Sequence, residues 1–296
     1  LRPENPRARK HPLPDLSDSN RARRCACTRL AMANLIVAGA AGRMGRALIG
    51  MIARDPVHKL SGALEAKGVA AVGSDAGEVA GVGPLGLRIT DDYAALARPD
   101  TVTLDFTNAA ASLEHLNVAA NNGAAIVVAS TGFNADQEKR AGAIAPRTRT
   151  VIAPNLSIGV TVLSKIVEQV AAILPDFDAE VIEIHHRTKV DAPSGTALAL
   201  GRTIAAARKV DFKTHSVFGR EGITGVRPSD QISVIGLRAG DAVGDHTVIF
   251  GGQGERLELI HRAQSRDSLA RGALRAAAWL EKQKPGLYSM RDVLGL

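Results

Sequence analysis

The densest set of side chains able to do chemistry lies in one polar segment, residues 183–196. The segment reads EIHHRTKVDAPSGT and contains two adjacent histidines, His185 and His186, followed by Lys189. A histidine can donate a proton near neutral pH, and a lysine can place positive charge where electron density builds. These residue types fit a reduction by hydride transfer, which needs a proton donor beside the reacting group, and His185 is the candidate acid.

The end of the same segment predicts an anion site. Ser194, Gly195 and Thr196 stand where a helix begins, and the unpaired amides of a helix start suit a carboxylate. In an ideal strand His185 and His186 would face opposite ways, so the chain must leave the strand there if both serve one pocket. An ordinary helix-entry loop with unreactive histidines is the alternative. Two adjacent histidines, a lysine and an anion-binding turn together favour a substrate site.

A metal site from Glu183, His185 and His186 is a weaker alternative for this segment. Neither HExxH spacing nor a cysteine ligand accompanies the three residues, so we predict that the protein holds no metal.

A glycine-rich turn near the start of the chain predicts a dinucleotide site. An apolar run at residues 35–38 precedes the turn, and an Ala/Leu/Ile/Met run to about Arg54 follows it. A strand, a turn and a helix in this order leave amides at the helix start that can bind a pyrophosphate. Glu65 ends the second predicted strand, where an acid can bind the adenosine ribose. The predicted cofactor residues are Gly39, Ala40, Ala41, Gly42, Arg43, Met44, Gly45 and Glu65.

The predicted cofactor is NADPH or NADH. Glu65 would repel a 2′-phosphate, whereas Arg43 and Lys67 would attract one, so we expect both cofactors to be used.

The order of elements predicts an α/β fold with a Rossmann-like, doubly wound parallel sheet, because strand-like and helix-like runs alternate up to Asn155. Beyond it we expect a second α+β domain containing a mixed or antiparallel sheet. Strand-like runs at residues 231–238, 246–251 and 256–261 have short Gly/Asp linkers, which predict an antiparallel meander. A last helix, at residues 268–282, should pack back on the first domain.

These patterns divide the chain into four expected parts. Residues 32–156 are the dinucleotide-binding domain, residues 157–265 the substrate-binding and oligomerisation domain, and residues 266–296 a C-terminal segment on the first domain. Residues 1–31 are interpreted as a disordered extension or a misassigned start, with a presequence as the alternative.

Charge and composition narrow the class of protein. Residues 1–31 hold a net charge of +5 out of +7, so residues 32–296 carry only +2, and we expect no nucleic-acid partner. Charged residues interrupt every apolar segment, which predicts no membrane span. Both cysteines, Cys25 and Cys27, precede the predicted fold, which therefore needs no disulfide and suits a reducing cytoplasm.

Two motifs resemble one family, 4-hydroxy-tetrahydrodipicolinate reductase, also called dihydrodipicolinate reductase, of the diaminopimelate route to lysine. Residues 37–46, VAGAAGRMGR, resemble its cofactor turn, and residues 185–196, HHRTKVDAPSGT, resemble its substrate signature. The likeness extends from about Asn34 to Leu296. It implies NAD(P)H-dependent reduction of a small dicarboxylate, the cyclic imine formed from 4-hydroxy-tetrahydrodipicolinate, by a homotetramer joined through the second domain's sheet.

The resemblance also implies roles for individual residues. His185 would donate the proton, and Lys189 would assist that transfer or bind substrate. His186, Gly195 and Thr196 would hold substrate carboxylates. Two loops would adjoin the nicotinamide; their residues are Ala129, Ser130 and Thr131 in the first, and Ala153, Pro154, Asn155 and Leu156 in the second.

Three positions depart from the family pattern. Ala66 and Asn108 stand where some members have arginine, and Leu156 stands where an aromatic residue is frequent.

Two other functions remain as alternatives, a Rossmann dehydrogenase acting on another small acid and a non-catalytic, dinucleotide-sensing protein. Neither accounts for the complete segment from His185 to Thr196.

Overall fold

The computed structural model of the chain describes residues 33–296. The predicted disordered extension or misassigned start, residues 1–31, lies outside the described residues. Of the helices in the described range, none combines the length and the apolar character that crossing a membrane requires.

Strands and helices alternate along residues 34–152, as the sequence predicts. In chain order they are β1 (Asn34–Ala38), α1 (Arg43–Ile52), β2 (Lys59–Leu64), α2 (Ala76–Ala80), α3 (Tyr93–Leu96), β3 (Thr101–Asp105), α4 (Ala109–Asn122), β4 (Ala125–Val128), α5 (Ala135–Ile144) and β5 (Arg149–Ile152). The inner strands are almost wholly buried, and apolar runs such as NLIVA in β1 and AIVV in β4 suit a sheet covered on both faces.

The remaining elements form a second sheet and then return to the first. They are α6 (Ile158–Ile173), β6 (Asp178–His185), α7 (Gly195–Arg208), α8 (Phe212–His215), β7 (Ser216–Val217), β8 (Ile232–Arg238), β9 (Gly244–Gly252), β10 (Glu255–Ala263), α9 (Asp267–Leu280), β11 (Gly286–Tyr288) and α10 (Met290–Leu294).

The first sheet is parallel throughout, with the strand order β11-β5-β4-β3-β1-β2. The chain passes from β1 outward to β2, and then returns past β1 to β3 and continues in the opposite direction. Such a reversal opens a crevice at the carboxyl ends of β1 and β3, which is where open α/β sheets bind ligands. The predicted Rossmann-like, doubly wound sheet is confirmed.

Side chains of β1 alternate between two cores, one on each face of this sheet. Leu35 and Val37 pack with Leu48 of α1 and Leu274 of α9, whereas Ile36 packs on the other face against α4. The last elements complete this first lobe, because α9 and α10 contribute to its core and β11 pairs with β5.

The second sheet is mixed, with the strand order β10-β9-β6-β8-β7. Strand β6 runs parallel to β8 and antiparallel to β9. Its inner face packs on α6 and α7, where Val181, Phe250 and Leu200 belong to one core. This arrangement agrees with the predicted α+β lobe.

The predicted antiparallel meander of β8, β9 and β10 is wrong at its first turn. Only β9 and β10 pair directly, whereas β6 lies between β8 and β9. The β6-α7-β8 crossover occupies one edge of β6, so β9 must pair with its other edge. Short linkers show that two strands are near each other, but a five-residue linker is long enough to pass over an intervening strand.

Candidate active site

The glycine turn follows β1 at the carboxyl edge of the first sheet. Gly39 has a φ of +81°, which favours glycine, and Gly45 lies against the turn so closely that a Cβ there would stand 2.1 Å from the Gly39 carbonyl oxygen. These two glycines let α1 begin directly behind the strand. The turn therefore has the local geometry that the sequence predicts.

The amides of this turn fall into two groups. Those of Gly39 and Ala40 both donate to the Leu64 carbonyl, and that of Ala41 donates to Glu65 at 2.9 Å. Gly42 at the N-cap gives α1 no side-chain cap, and the first helical bond in the described part runs from the Arg46 amide. The amides of the first helical turn, at residues 43–45, thus have no acceptor among the described residues and fit an anion.

Ala40, also predicted for the cofactor site, is fully buried, and its amide donates to the Leu64 carbonyl, so its main contribution is to the shape of the turn.

A cavity of about 610 Å³ extends from the glycine turn along the ends of β2 and β3. Glu65, predicted for the ribose, lines it together with Lys67, Asp91, Glu114 and His115. Three carboxylates therefore face one lysine and a histidine, and the histidine is already paired with the buried Asp105 at 2.8 Å. Sequence reasoning did not find Asp91, which lies in the loop before α3, or Glu114 and His115, which lie on α4.

The two predicted nicotinamide loops end β4 and β5 at the same sheet edge. Ala129 and Ala153 hydrogen-bond to the neighbouring strands through their amides, and Ser130 accepts from Ser112 at 2.6 Å. A second cavity, of about 520 Å³, is bounded by Ser130, Thr131 and Pro154, and also by C-terminal residues 287–289 and 292. No local sequence pattern predicts this C-terminal contribution, because it depends on the pairing of β11 with β5.

Leu156 does not offer its side chain to either cavity, contrary to the expectation for this position. Only 1% of the residue is exposed, and it belongs to the first core. A Cβ at Gly272 of α9 would stand 1.8 Å from the Leu156 carbonyl oxygen, so the backbone here is packed against that helix. Packing against α9 explains why Leu156 is directed inward.

Strand β6 ends at His185, and the polar segment that follows is a series of turns. The Arg187 amide donates to the Gly240 carbonyl, and Nδ1 of His186 lies 2.7 Å from Oγ1 of Thr188. The chain thus leaves the strand between the two histidines, as the sequence predicts. Within residues 33–296, Glu183, His185 and His186 do not come together as a group that could hold a metal ion.

Cationic side chains surround the substrate segment. Partial desolvation lowers the pKa of His186, and the positive charges of Arg266 and Arg43 lower it further. Arg43 belongs to the glycine turn, so the cofactor turn and the substrate segment lie within electrostatic reach of each other. Lys189 is held by Asp191, with Nζ and Oδ1 2.7 Å apart. This field suits a dianionic ligand.

The start of α7, where the sequence predicts a second anion site, has amides left unpaired within the described range. Ser194 caps the helix by accepting from the Ala197 amide, and the amides of Gly195 and Thr196 have no acceptor among the described residues. Oγ1 of Thr196 accepts from Nδ2 of Asn155 at 2.9 Å. This bond joins the nicotinamide-side loop to the substrate helix and so links the two lobes.

His185 contacts the buried carboxylate of Glu183. The sequence pattern did not predict this hydrogen bond. Nδ1 of His185 lies 2.5 Å from Oε2 of Glu183, and Arg238 of β8 donates to both oxygens of that carboxylate. The spacing of Glu183 and His185 on one strand face was an available signal. Arg238 gave no signal, because it reaches them only through the pairing of β6 with β8.

A second histidine, His246 of β9, packs against His185. The ring centroids are 5.4 Å apart in an edge-to-face arrangement, and His246 is 3% exposed. Burial lowers the pKa of His246 to about 4, so the ring is neutral at pH 7. Its Nε2 lies 3.3 Å from Oγ of Ser194, next to the α7 anion site.

Two family models match the chain, one in each lobe. Residues 33–156 match dihydrodipicolinate reductase, N-terminus, and residues 159–294 match dihydrodipicolinate reductase, C-terminus. Curated relatives include a 4-hydroxy-tetrahydrodipicolinate reductase of Geotalea uraniireducens (strain Rf4), which is 47% identical over 90% of this chain and 100% of the relative. Another, of Anaeromyxobacter sp. (strain Fw109-5), is 48% identical over 90% of this chain and 98% of the relative.

A solved structure has the same fold. Dipicolinate-bound dihydrodipicolinate reductase from Paenisporosarcina sp. TG-14 superposes with a TM-score of 0.70 at 24% identity, covering 87% of this chain and 97% of that one. The sequence matches extend over both lobes and include the cofactor turn and the substrate segment. The chain belongs to the dihydrodipicolinate reductase family.

Proposed function

We propose that this protein reduces the cyclic imine formed from 4-hydroxy-tetrahydrodipicolinate to tetrahydrodipicolinate, with NADPH or NADH as the cofactor, in lysine and diaminopimelate biosynthesis. Its curated relatives are named for this reductase activity. The observation that carries the proposal is the link between the cofactor side and the substrate helix: Asn155 of the nicotinamide-side loop donates to Thr196 at the start of α7, and Glu183 contacts both His185 and the Ser194 amide. A dinucleotide and a dicarboxylate both need anion sites, which the starts of α1 and α7 would supply.

The cofactor residues are assigned from the carboxylate that lies in the crevice and from the amides there that are free in the part of the chain that the structure describes. The amides of Arg43, Met44 and Gly45 would hold the pyrophosphate, and Glu65 would accept from the adenosine ribose. The loops at residues 129–131 and 153–155 would adjoin the nicotinamide ring. The bound cofactor supplies the hydride.

We propose that both NADH and NADPH bind, because the cavity beside Glu65 is lined by charges of both signs. Glu65, Asp91 and Glu114 disfavour a 2′-phosphate, whereas Lys67 favours one. Comparing kcat/KM for NADH and NADPH tests this, and a preference of several orders of magnitude for either would contradict it.

The substrate residues are assigned by charge and hydrogen-bonding capacity. The amides of Gly195 and Thr196, with Ser194 at the cap, would bind one carboxylate. Lys189 would neutralise the remaining negative charge, and His186, whose lowered pKa favours the neutral ring, would bind the substrate by a hydrogen bond. His185 would donate the proton, since its Nδ1 is held by Glu183 and Nε2 remains for transfer.

An NAD(P)H-oxidation assay with the cyclic imine tests the proposed function directly. The proposal expects oxidation of NADPH that depends on both the protein and the imine. A Rossmann dehydrogenase for another small acid would bind NADPH but leave it unoxidised with this imine. A dinucleotide sensor would bind NADPH without oxidising it in the presence of any small acid.

We also propose that the chain is a homotetramer joined through its second sheet. The outer face of that sheet, opposite α6 and α7, carries six half-buried or exposed apolar side chains, namely Ile182, Ile184, Ile235, Leu237, Ile249 and Ile260. The edge strand β10 has exposed residues along most of its length. Such a face favours association with other copies.

We also propose a role for each domain and a cytoplasmic location for the protein. Residues 32–156 would be the dinucleotide-binding domain, residues 157–265 would bind substrate and oligomerise, and residues 266–296 would complete the first domain. The absence of cysteine after Cys27 suits a reducing cytoplasm.

A further inference from the structure

We infer that Glu183 is a positioning residue that fixes both the orientation of His185 and the nitrogen through which His185 donates its proton. The two side chains lie two residues apart on β6 and therefore on one face of the strand. The inference rests on the proton-donor role proposed for His185.

Every polar contact of the Glu183 carboxylate comes from a donor. Oε2 lies 2.5 Å from Nδ1 of His185, and Oε1 accepts from the Ser194 amide at 3.0 Å. Nη1 of Arg238 donates to both oxygens, at 2.9 and 3.0 Å. Burial alone would raise the pKa of Glu183, but these hydrogen bonds outweigh it and lower the pKa. The fully buried side chain is therefore a carboxylate at neutral pH.

An ionised carboxylate can only accept hydrogen bonds, and this determines where the hydrogens of His185 lie. Nδ1 must carry a hydrogen whether the ring is neutral or cationic. Nε2 is then the nitrogen that gains and loses the transferred proton. A Cβ at Gly244 would stand 2.9 Å from this Nε2, so the small residue of β9 leaves room for the ring in this orientation.

Arg238 ties the Glu183–His185 pair to the substrate segment. Its Nε donates to the carbonyl of Lys189 at 3.3 Å, and its Nη2 donates to the carbonyl of Asp191. One buried ion pair thus holds the proton donor, the lysine loop and, through Ser194, the start of α7. Reacting groups held in this way need little rearrangement when substrate binds.

The hydrogen on His185 can be located in the wild-type protein by NMR of ¹⁵N-histidine-labelled enzyme. Loss of one signal set in His185→Gln assigns the residue. We expect the neutral ring to carry its hydrogen on Nδ1. A neutral ring with its hydrogen on Nε2 would overturn the inference, and this measurement does not depend on how any Glu183 variant folds.

A double-mutant cycle tests whether Glu183 acts through His185. We expect Glu183→Gln to lower kcat about 100-fold with the KM for NADPH within about threefold of wild type. The double variant, Glu183→Gln with His185→Gln, should have a kcat no lower than that of His185→Gln alone. If Glu183 had a merely structural role, the two losses of kcat would multiply. Glu180→Gln is the matched control. Glu180 lies on the same strand as Glu183 and forms an ion pair with Arg220, but it does not contact His185.

The outcomes separate this inference from the proposed function. Wild-type kcat in Glu183→Gln, or losses that multiply in the double variant, would overturn the inference while the reductase activity and His185 stand. Wild-type kcat in His185→Gln would remove the proton donor itself, and the positioning role with it.

Discussion

At the scale of single residues, the proposed reaction depends most on His185. Its side chain is 12% exposed, and Nδ1 is held by Glu183, so Nε2 alone is left to release a proton. Replacement by glutamine keeps a polar side chain but removes the acid. We expect His185→Gln to lower kcat by about two orders of magnitude or more, with the Kd for NADPH unchanged. Steady-state kinetics and NADPH titration measure the two quantities.

His215→Gln is the control for that substitution. His215 pairs with Asp230 at 3.1 Å in the α8 region and has no part in the site, so wild-type kcat is expected. Unchanged turnover in His185→Gln would exclude His185 as the proton donor.

Lys189 is proposed to act through its positive charge, which would favour both the bound substrate and the transition state. Its Nζ lies 2.7 Å from Asp191, which holds it at the substrate segment, and its side chain is 22% exposed. We expect Lys189→Ala to lower kcat and raise the KM for the imine, each by about tenfold or more. Steady-state kinetics with the imine measures both. The exposed Lys213 of α8, changed to alanine, should leave both unchanged, and wild-type values for Lys189→Ala would contradict its assignment.

His246 predicts how stability depends on pH. Its folded pKa is about 4, lowered first by burial and then by the positive charge of His185, with Glu183 opposing the shift. Between the ordinary value of 6.5 and about 4, the unfolded chain binds a proton that the folded protein does not. The free energy of unfolding is therefore unaffected by the titration of His246 above pH 6.5 and falls as the pH is lowered. At pH 4 the decrease amounts to about 3 kcal/mol.

Urea unfolding at several pH values between 7 and 4 measures this effect. The free energy of unfolding should fall with decreasing pH in the wild type and less steeply in His246→Gln. Equal slopes in the two proteins would show that His246 titrates normally.

At the scale of elements, the start of α1 depends on the absence of a side chain at Gly45. A Cβ there would lie 2.1 Å from the Gly39 carbonyl oxygen and 2.8 Å from Cα of Ala40, so the helix must move away from the turn. We expect Gly45→Ala to lower both the free energy of unfolding and the affinity for NADPH, the latter by about tenfold or more. Urea unfolding and calorimetric titration measure the two losses.

Gly142→Ala is the matched control for the glycine turn. Gly142 lies within α5, and a Cβ there would meet nothing within 4 Å. Alanine should therefore stabilise the protein by up to about 1 kcal/mol, because glycine is the poorer helix former. Equal effects of the two substitutions would contradict the steric explanation for Gly45.

The sequence predicts individual elements well but not how distant strands pair. Periodicity and caps identify β1, α1 and the start of α7, because a helix or strand is specified by neighbouring residues. Ser194 at the α7 cap is one example. The order of β8, β6 and β9 depends on which edges the crossover leaves open, and no local pattern records that. The same limit hid Arg238, which meets Glu183 from 55 residues further along the chain.

At the scale of the whole molecule, one sheet face has apolar character, and none of the described elements covers it. Helices α6 and α7 pack on the inner face of the second sheet, whereas Ile260 on the outer face is 49% exposed and Leu237 is 45% exposed. Burial of apolar area against other copies would stabilise an assembly. For the proposed homotetramer we expect sedimentation or light scattering to give four times the 31.0 kDa mass of one chain.

A charge on that face should break the assembly, because an unpaired carboxylate is costly to bury. We expect Ile260→Glu to shift the mass toward smaller species without unfolding the chain, since the side chain already lies at the surface of a single copy. Ile173→Glu is the control: Ile173 is 73% exposed at the end of α6, away from the sheet, so the mass should stay that of the wild type. A wild-type protein that sediments as one chain, or an Ile260→Glu variant that keeps the wild-type mass, would show that the outer face of the sheet is not the interface.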